Sequence, residues 1–143
     1  MEEEDRNITH GAKEAGLEPE SFCPIRQTLK ILGKKWTILI IKEIYYSKDH
    51  EIGFMDIKNG LFKISTKVLS QRRKEMQEED VIYRRVDASK TPIRVYYSLT
   101  PKGDDACNII TDLKKYGLKW GDGDFTCHEI DCELCDKKRE IPA

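Results

Sequence analysis

No run of about 18 apolar residues occurs in this chain, so no membrane-spanning helix is expected. Its start, Met1 through Asp5, is acidic and lacks a basic segment followed by an apolar one, so no secretory signal is read there and a cytoplasmic location is expected. Histidine is scarce and scattered, at His10, His50 and His128. A glycine-rich phosphate loop, a serine–histidine–aspartate arrangement and an internal repeat are all missing. Outside the cysteines nothing points to catalysis, and the chain is not expected to be an enzyme. Those cysteines, at 23, 107, 127, 132 and 135, are odd in number. An odd count without a signal argues against a secreted disulfide framework. In a reducing compartment they are free thiols, metal ligands or redox sensors.

What the chain has is charge, 36% of its residues against a usual level of about 25%. The net charge of −1 conceals a segregation. Residues 1–23 carry seven acidic and two basic side chains, residues 24–120 twelve acidic and twenty basic, and residues 121–143 seven acidic and three basic. A basic middle between acidic ends points to a polyanionic partner. The length of 143 residues suits one domain with tails.

Residues 1–22 show no apolar period and read as a flexible acidic arm. Pro24 suits a first helical turn, because its missing N–H would be unpaired there anyway. Ile25, Leu29 and Leu32 then form a short stripe that Gly33 stops. A second helix is predicted from about Lys35 to Tyr46, with Trp36, Leu39, Ile40 and Ile44 on one face. Ile38 and Ile41 make it apolar nearly all round, the mark of a buried central helix. Ser47 to Gly53 reads as a loop. A short third helix with Phe54 and Ile57 ends near Gly60, a natural C-terminal glycine. Ser65 can cap a fourth helix, with Val68, Leu69 and Met76 inward and an end near Glu79. Val81–Val86 and Ile93–Leu99 are rich in strand formers, joined by a hairpin loop over 87–92. Thr100 and Pro101 open a long last helix that runs to about Lys119. The order of helix, helix, short helix, helix, strand, strand, helix is the winged helix pattern, in which the third and fourth helices form the helix-turn-helix.

Cys23-Pro24, Leu32-Gly-Lys-Lys-Trp-Thr37 and Leu39-Ile-Ile-Lys42 resemble the opening of the HxlR family of regulators, relatives of the MarR type. The resemblance continues through Phe54-Met-Asp-Ile57, Ile64-Ser-Thr-Lys-Val-Leu-Ser-Gln-Arg72 and Arg94-Val-Tyr-Tyr-Ser-Leu-Thr-Pro-Lys-Gly103. It implies an α+β, mainly α, winged helix-turn-helix with a two-stranded wing and a C-terminal dimerisation helix. The expected organisation is an arm over 1–22, a DNA-binding and dimerisation domain over 23–120, and an acidic Cys-rich tail over 121–143. A homodimer is implied, with first and last helices at its interface and recognition helices in successive major grooves. Three residues depart from the family pattern. Lys34 and Asp80 stand where glycine is usual, and Asp tolerates a left-handed turn better than most residues. Arg73 stands where leucine is usual, at i+4 from Leu69, so its stem is expected to be half-buried and its guanidinium to meet an acid such as Glu75, Asp80 or one across the dimer interface.

Reading duplex DNA needs cations for phosphates and forked polar groups for base edges. The fourth helix offers Ser65, Thr66, Lys67, Ser70, Gln71 and Lys74, and the wing adds Arg84, Arg85, Lys90 and Arg94. The expected function is a homodimeric, sequence-specific regulator on an inverted-repeat operator, responsive to a thiol signal. Cys23 precedes a helix N-terminus, which favours the reactive thiolate form, and the resemblance gives a cysteine at this place a sensing role. Cys107 is expected to pack as a small hydrophobe. In the tail, Cys127, His128, Cys132 and Cys135 have spacing suited to zinc, ahead of an iron–sulfur cluster that would need a fourth cysteine from elsewhere. The core domain requires no cofactor. Two other readings stay open, a winged helix that binds protein and a small thiol oxidoreductase using Cys132 and Cys135. The first would show exposed apolar residues on the recognition helix, and the second would need a βαβ setting that this sequence does not offer.

Overall fold

Left-handed residues mark two helix boundaries in this chain, Trp36 before one helix and Asp80 just after another. The computed structural model describes Gly16, Glu18 and residues 21–122. The predicted arm therefore lies largely, and the tail almost wholly, outside the described residues. The chain divides into two compact units, Met1–Lys35 and Trp36–Ala143. In the first, helix α1 spans Pro24–Leu32 with Pro in its first turn and Cys23 at the N-cap. The Gln27 N–H donates to the Cys23 carbonyl at 3.0 Å. The predicted stripe is there, but Ile25 and Leu29 are exposed.

In the second unit, α2 spans Thr37–Tyr45. It starts two residues later than expected because Trp36 has φ +81°, a left-handed conformation that a right-handed helix excludes. The inward face is also turned from the expected one. Thr37, Ile40, Ile41 and Ile44 are buried, whereas Leu39 is 44% exposed. The expectation of a central helix is met: α2 packs against the elements that follow on several sides.

The segment read as a loop contains structure. A 3-10 turn at Lys48–His50 leads into strand β1, Glu51–Gly53. The turn is tied back to α2 by Ser47 Oγ, which donates to the Ile44 carbonyl at 2.6 Å, and by His50 Nδ1, 2.8 Å from the Tyr45 carbonyl oxygen. Helix α3 is Phe54–Gly60 and α4 is Thr66–Glu78. Strands β2, Ile82–Asp87, and β3, Arg94–Leu99, form the predicted hairpin. Strand β1 adds to the other side of β3, giving an antiparallel sheet in the order β1-β3-β2. The pairings Glu51↔Ser98, Arg85↔Tyr96 and Ile82↔Leu99 fix its register.

The predicted last helix is divided at Ala106 into α5, Pro101–Asp105, and α6, Cys107–Trp120. The Ala106 N–H bonds the Gly103 carbonyl three residues back, which tightens the turn at the junction. Ile57 from α3, Leu61 and Ile64 from the turn, Leu69 and Met76 from α4, Val81 from the exit after α4, Ile82 and Tyr97 from the sheet, and Ala106 and Ile110 complete the core around α2. No described helix is long and apolar enough to cross a membrane.

Candidate DNA-binding surface

The turn between α3 and α4 is built from two left-handed residues, Phe62 with φ +42° and Lys63 with φ +62°. They reverse the chain so that Leu61 and Ile64 both enter the core. Gly60 lies behind this turn. A Cβ there would collide with the carboxylate of Glu43, which is itself buried. Glycine was expected here for a left-handed helix stop. Its actual role is close approach, since the backbone of Gly60 is helical and Leu61 caps the helix in right-handed geometry.

Helix α4 is fixed at both ends. Ser65 Oγ accepts from the Val68 N–H at 3.1 Å, an ordinary N-cap. At the other end the Val81 N–H donates to Met76 O at 2.8 Å and the Asp80 N–H to Gln77 O at 3.2 Å, the paired bonds of a Schellman motif. Asp80 takes the left-handed position that the motif requires, at φ +57°, as its tolerance of that region suggested. Buried Thr100 then clasps this exit. Its Oγ1 donates to Asp80 O at 2.5 Å, lies 3.1 Å from Val81 O, and accepts from the Gly103 N–H at 3.1 Å. Lys102 Nζ donates to Glu79 O at 2.9 Å. Gly103 has no room for a Cβ because the Val81 carbonyl abuts it.

Held this way, α4 buries Leu69 and Met76 and leaves Thr66, Lys67, Gln71 and Lys74 exposed. Ser70 is half-buried on the margin of that face, and the Ser65 hydroxyl is engaged in capping. Arg73 is half-buried, as expected for its inward position. Neither Glu75 nor Asp80 is its partner within the chain. Arg73 Nη1 reaches Gln77 Oε1 at 3.5 Å, Arg73 Nε is buried without a partner, and Glu75 is taken by Arg72 at 3.3 Å. One turn of helix aims position 73 at position 77, while Glu75 lies on the Arg72 side.

In the wing, strand alternation puts Arg84 on the core-facing side, opposite Tyr97, and puts Arg85, Tyr96 and Arg94 on the outer side. Arg84, Lys90 and Arg94 are all exposed. Arg85 is occupied. Its Nη2 and Nε donate to the two carboxylate oxygens of Glu51 at 2.6 and 2.9 Å, and its guanidinium lies 4.7 Å from the Tyr96 ring centroid. The hydrogen bonds from Arg85, with its charge, hold the Glu51 carboxyl below its usual range, and the same pair raises Arg85. Lys90 Nζ donates to Tyr96 Oη at 2.9 Å and sits 3.9 Å from Asp87. Hydrogen bonds from the Ser89 hydroxyl and N–H lower the Asp87 carboxyl. Glu51 is not legible in the sequence as a partner for Arg85, because nothing in a seven-residue polar stretch marks a three-residue edge strand.

The cysteines are dispersed. Cys23 is half-buried at the N-cap of α1, and its side chain makes no capping bond. The Cys107 thiol, at the start of α6, is pushed up to about 11 by burial and, second, by Asp104, in keeping with a small packing residue. Cys127, His128, Cys132 and Cys135 lie outside the described residues. Among the described residues no group of three His, Cys, Asp or Glu is placed to hold a metal.

A model of the HxlR-like helix-turn-helix family matches residues 31–125. The chain belongs to that family. It is 33% identical over 110 residues to the HTH-type transcriptional regulator YvaP of Bacillus subtilis, covering 76% of this chain and 98% of YvaP. A structure from Porphyromonas gingivalis W83, described as a MarR-family regulator, is similar with a TM-score of 0.63 and 33% identity, over 68% of this chain and 91% of that one. The redox regulator HypR in its oxidised form is similar with a TM-score of 0.62 and 26% identity, over 71% of this chain and 100% of HypR. This HxlR-type chain is thus a transcriptional regulator on a winged helix frame and not an enzyme, which removes the oxidoreductase alternative.

Proposed function

We propose that this HxlR-type regulator grips duplex DNA as a homodimer, placing two α4 helices in successive major grooves of an inverted repeat. The observation that carries this reading is the exposed row Thr66, Lys67, Gln71 and Lys74 on a helix fixed at both ends, beside a hairpin that exposes Arg84 and Arg94. A rigid polar helix can place a glutamine amide on adenine and a lysine on guanine, while arginines on a hairpin meet phosphates. A recognition helix that bound protein would expose apolar residues, and this row has none. Each half-site is then about one helical turn, roughly 34 Å, from the next.

The test is a salt-titrated binding curve on a duplex enriched from genomic fragments by the purified protein, beside a scrambled duplex. Gln71→Ala should cost about 1–3 kcal/mol on the enriched duplex and relax its preference for one base pair. Arg94→Ala should weaken both duplexes alike and reduce the salt slope by about one unit. Arg94 is the cleaner probe, because Lys90 is already bonded to Tyr96. Equal weak affinity for both duplexes, untouched by Gln71→Ala, would instead favour the protein-binding reading.

The dimer reading draws on exposed apolar residues of α6, Ile109, Leu113, Tyr116 and Trp120, and on the exposed Ile25 and Leu29 of α1. Thiol responsiveness draws on the likeness to HypR and on Cys23 at a helix N-cap. Cys23→Ser should abolish the loss of DNA binding that a mild oxidant causes. Unchanged oxidant sensitivity would move the role away from Cys23.

A further inference from the structure

The outer face of the sheet carries a polar assembly that the row on α4 does not use. Glu51 stands on the short edge strand β1, which follows directly from the turn after α2. Arg85 stands on β2, the far strand of the hairpin, with β3 between them. The ion pair therefore spans the central strand, and Tyr96 of β3 lies beneath the guanidinium. Lys90, in the hairpin loop, is held over the same ring, 5.3 Å from its centroid, and bonded to its hydroxyl. Asp87 approaches Lys90, and Ser89 in turn bonds Asp87. The register places β1 against only the base of the hairpin, at Tyr96 to Ser98, so the wing beyond Tyr96 has no third strand to stiffen it.

We propose that Glu51, Arg85 and Tyr96 form a brace that sets the angle of the wing against the body of the domain, making Glu51 a positioning residue for the wing's phosphate contacts. This rests on the DNA-binding reading above. An acid beside a DNA-binding hairpin is otherwise unfavourable, because it repels the phosphates that the cations attract. A two-toothed arginine–carboxylate fork fixes direction as well as distance, which a lysine in place of Arg85 cannot do. In this reading Arg85 is withdrawn from direct phosphate contact, and Lys90 reaches DNA from an orientation imposed by Tyr96.

The experiment compares the full-length wild-type protein with Glu51→Gln, Arg85→Lys and the double variant. Each is titrated with the enriched duplex at several salt concentrations, and amide hydrogen exchange is followed without DNA. Simple electrostatics predicts opposite signs from the brace. Removing an acid near DNA should tighten binding if Glu51 is a passive surface group. The brace predicts that Glu51→Gln weakens binding, by about fivefold, which is the upper range for an exposed ion pair. Arg85→Lys keeps the charge and should weaken binding to a similar extent, and the double variant should be no weaker than either single one. Wing amides over 85–95 should exchange faster in all three. Tighter or unchanged binding by Glu51→Gln, or Arg85→Lys binding like the wild type, overturns the brace. Failure of the wild type to bind any duplex would sink the DNA-binding reading instead. Hydrogen exchange would still decide the brace, because unchanged wing protection in the variants refutes it without DNA.

Discussion

Position 60 shows how a missing side chain can set a junction. Its Cβ would overlap the buried Glu43 carboxylate, so the α2–α3 approach depends on that atom's absence. Alanine is the better helix former by roughly 0.5–1 kcal/mol, and overpacking costs about 1–3 kcal/mol. The clash is with a carboxylate that cannot retreat into apolar surroundings without losing its contacts, so overpacking wins. Gly60→Ala should lower stability by about 1–2 kcal/mol in a denaturant titration, and less so in a Glu43→Ala background, where the obstacle is gone. Cys107 offers a second reading at this scale. Its thiol is pushed up from 9.0 to about 11, so the folded state holds the proton more tightly than the unfolded one. The associated stabilisation is complete below pH 9 and is lost as pH rises towards 11. At pH 8 Cys107 should accordingly react with iodoacetamide many times more slowly in native than in denatured protein, read by mass spectrometry of the peptide. Equal rates would show that the thiol is not shielded. Sequence alone suggested a packing cysteine here, but the burial and the nearby Asp104 that raise it required the fold.

Helix α4 is the element that the sequence described most completely, and the reasons are local. A serine cap, an apolar pair seven residues apart and an aspartate at the left-handed exit are all written within sixteen residues. What escaped was decided by partners far along the chain. Thr100 was legible as a cap for the helix after it, but not as the clasp on Asp80, twenty residues away. Strand β1 has three residues and no alternation to read, so its pairing with β3 and the Glu51–Arg85 fork were invisible. Leu39 was placed inward because α2 is apolar nearly all round, and periodicity then cannot choose a face. The exit of α4 supports a direct test. Asp80 sits at φ +57°, a region that costs a non-glycine residue roughly 1–2 kcal/mol, and somewhat less for Asp. Its side chain shows no bond among those of the exit, where the backbone N–H and carbonyl carry the contacts. Asp80→Gly should therefore raise the stability by up to about 1 kcal/mol, with DNA affinity unchanged or slightly increased. A drop in stability would mean that the Asp80 carboxylate contributes a contact that outweighs its backbone strain.

At the scale of the whole molecule the charge segregation and the exposed apolar stripe complement each other. The basic span 24–120 gives the domain its attraction to a polyanion, but one recognition helix reads only a few base pairs. The proposed dimer would supply two such helices held together. The α6 residues Ile109, Leu113, Tyr116 and Trp120 fall three or four apart, on one face of the helix, and are 42%, 51%, 69% and 67% exposed. Over that span the stripe is roughly 17 Å long. Burying a leucine or an aromatic side chain of this kind is worth about 1.5–3 kcal/mol each, so in the proposed dimer a second copy of the stripe would supply the driving force for a two-fold contact. Acidic residues in the proposed seam would be desolvated without partners. Leu113→Glu combined with Tyr116→Glu should therefore give a monomer by size-exclusion chromatography with light scattering. It should retain a cooperative melt, since both side chains are exposed rather than in the core. Uncoupling the two half-sites removes the effective concentration that joins them, so affinity for the inverted repeat should fall by roughly 100-fold or more, while affinity for a single half-site stays close to that of one domain. A variant that remains dimeric and binds the repeat as before would show that the stripe is not the seam.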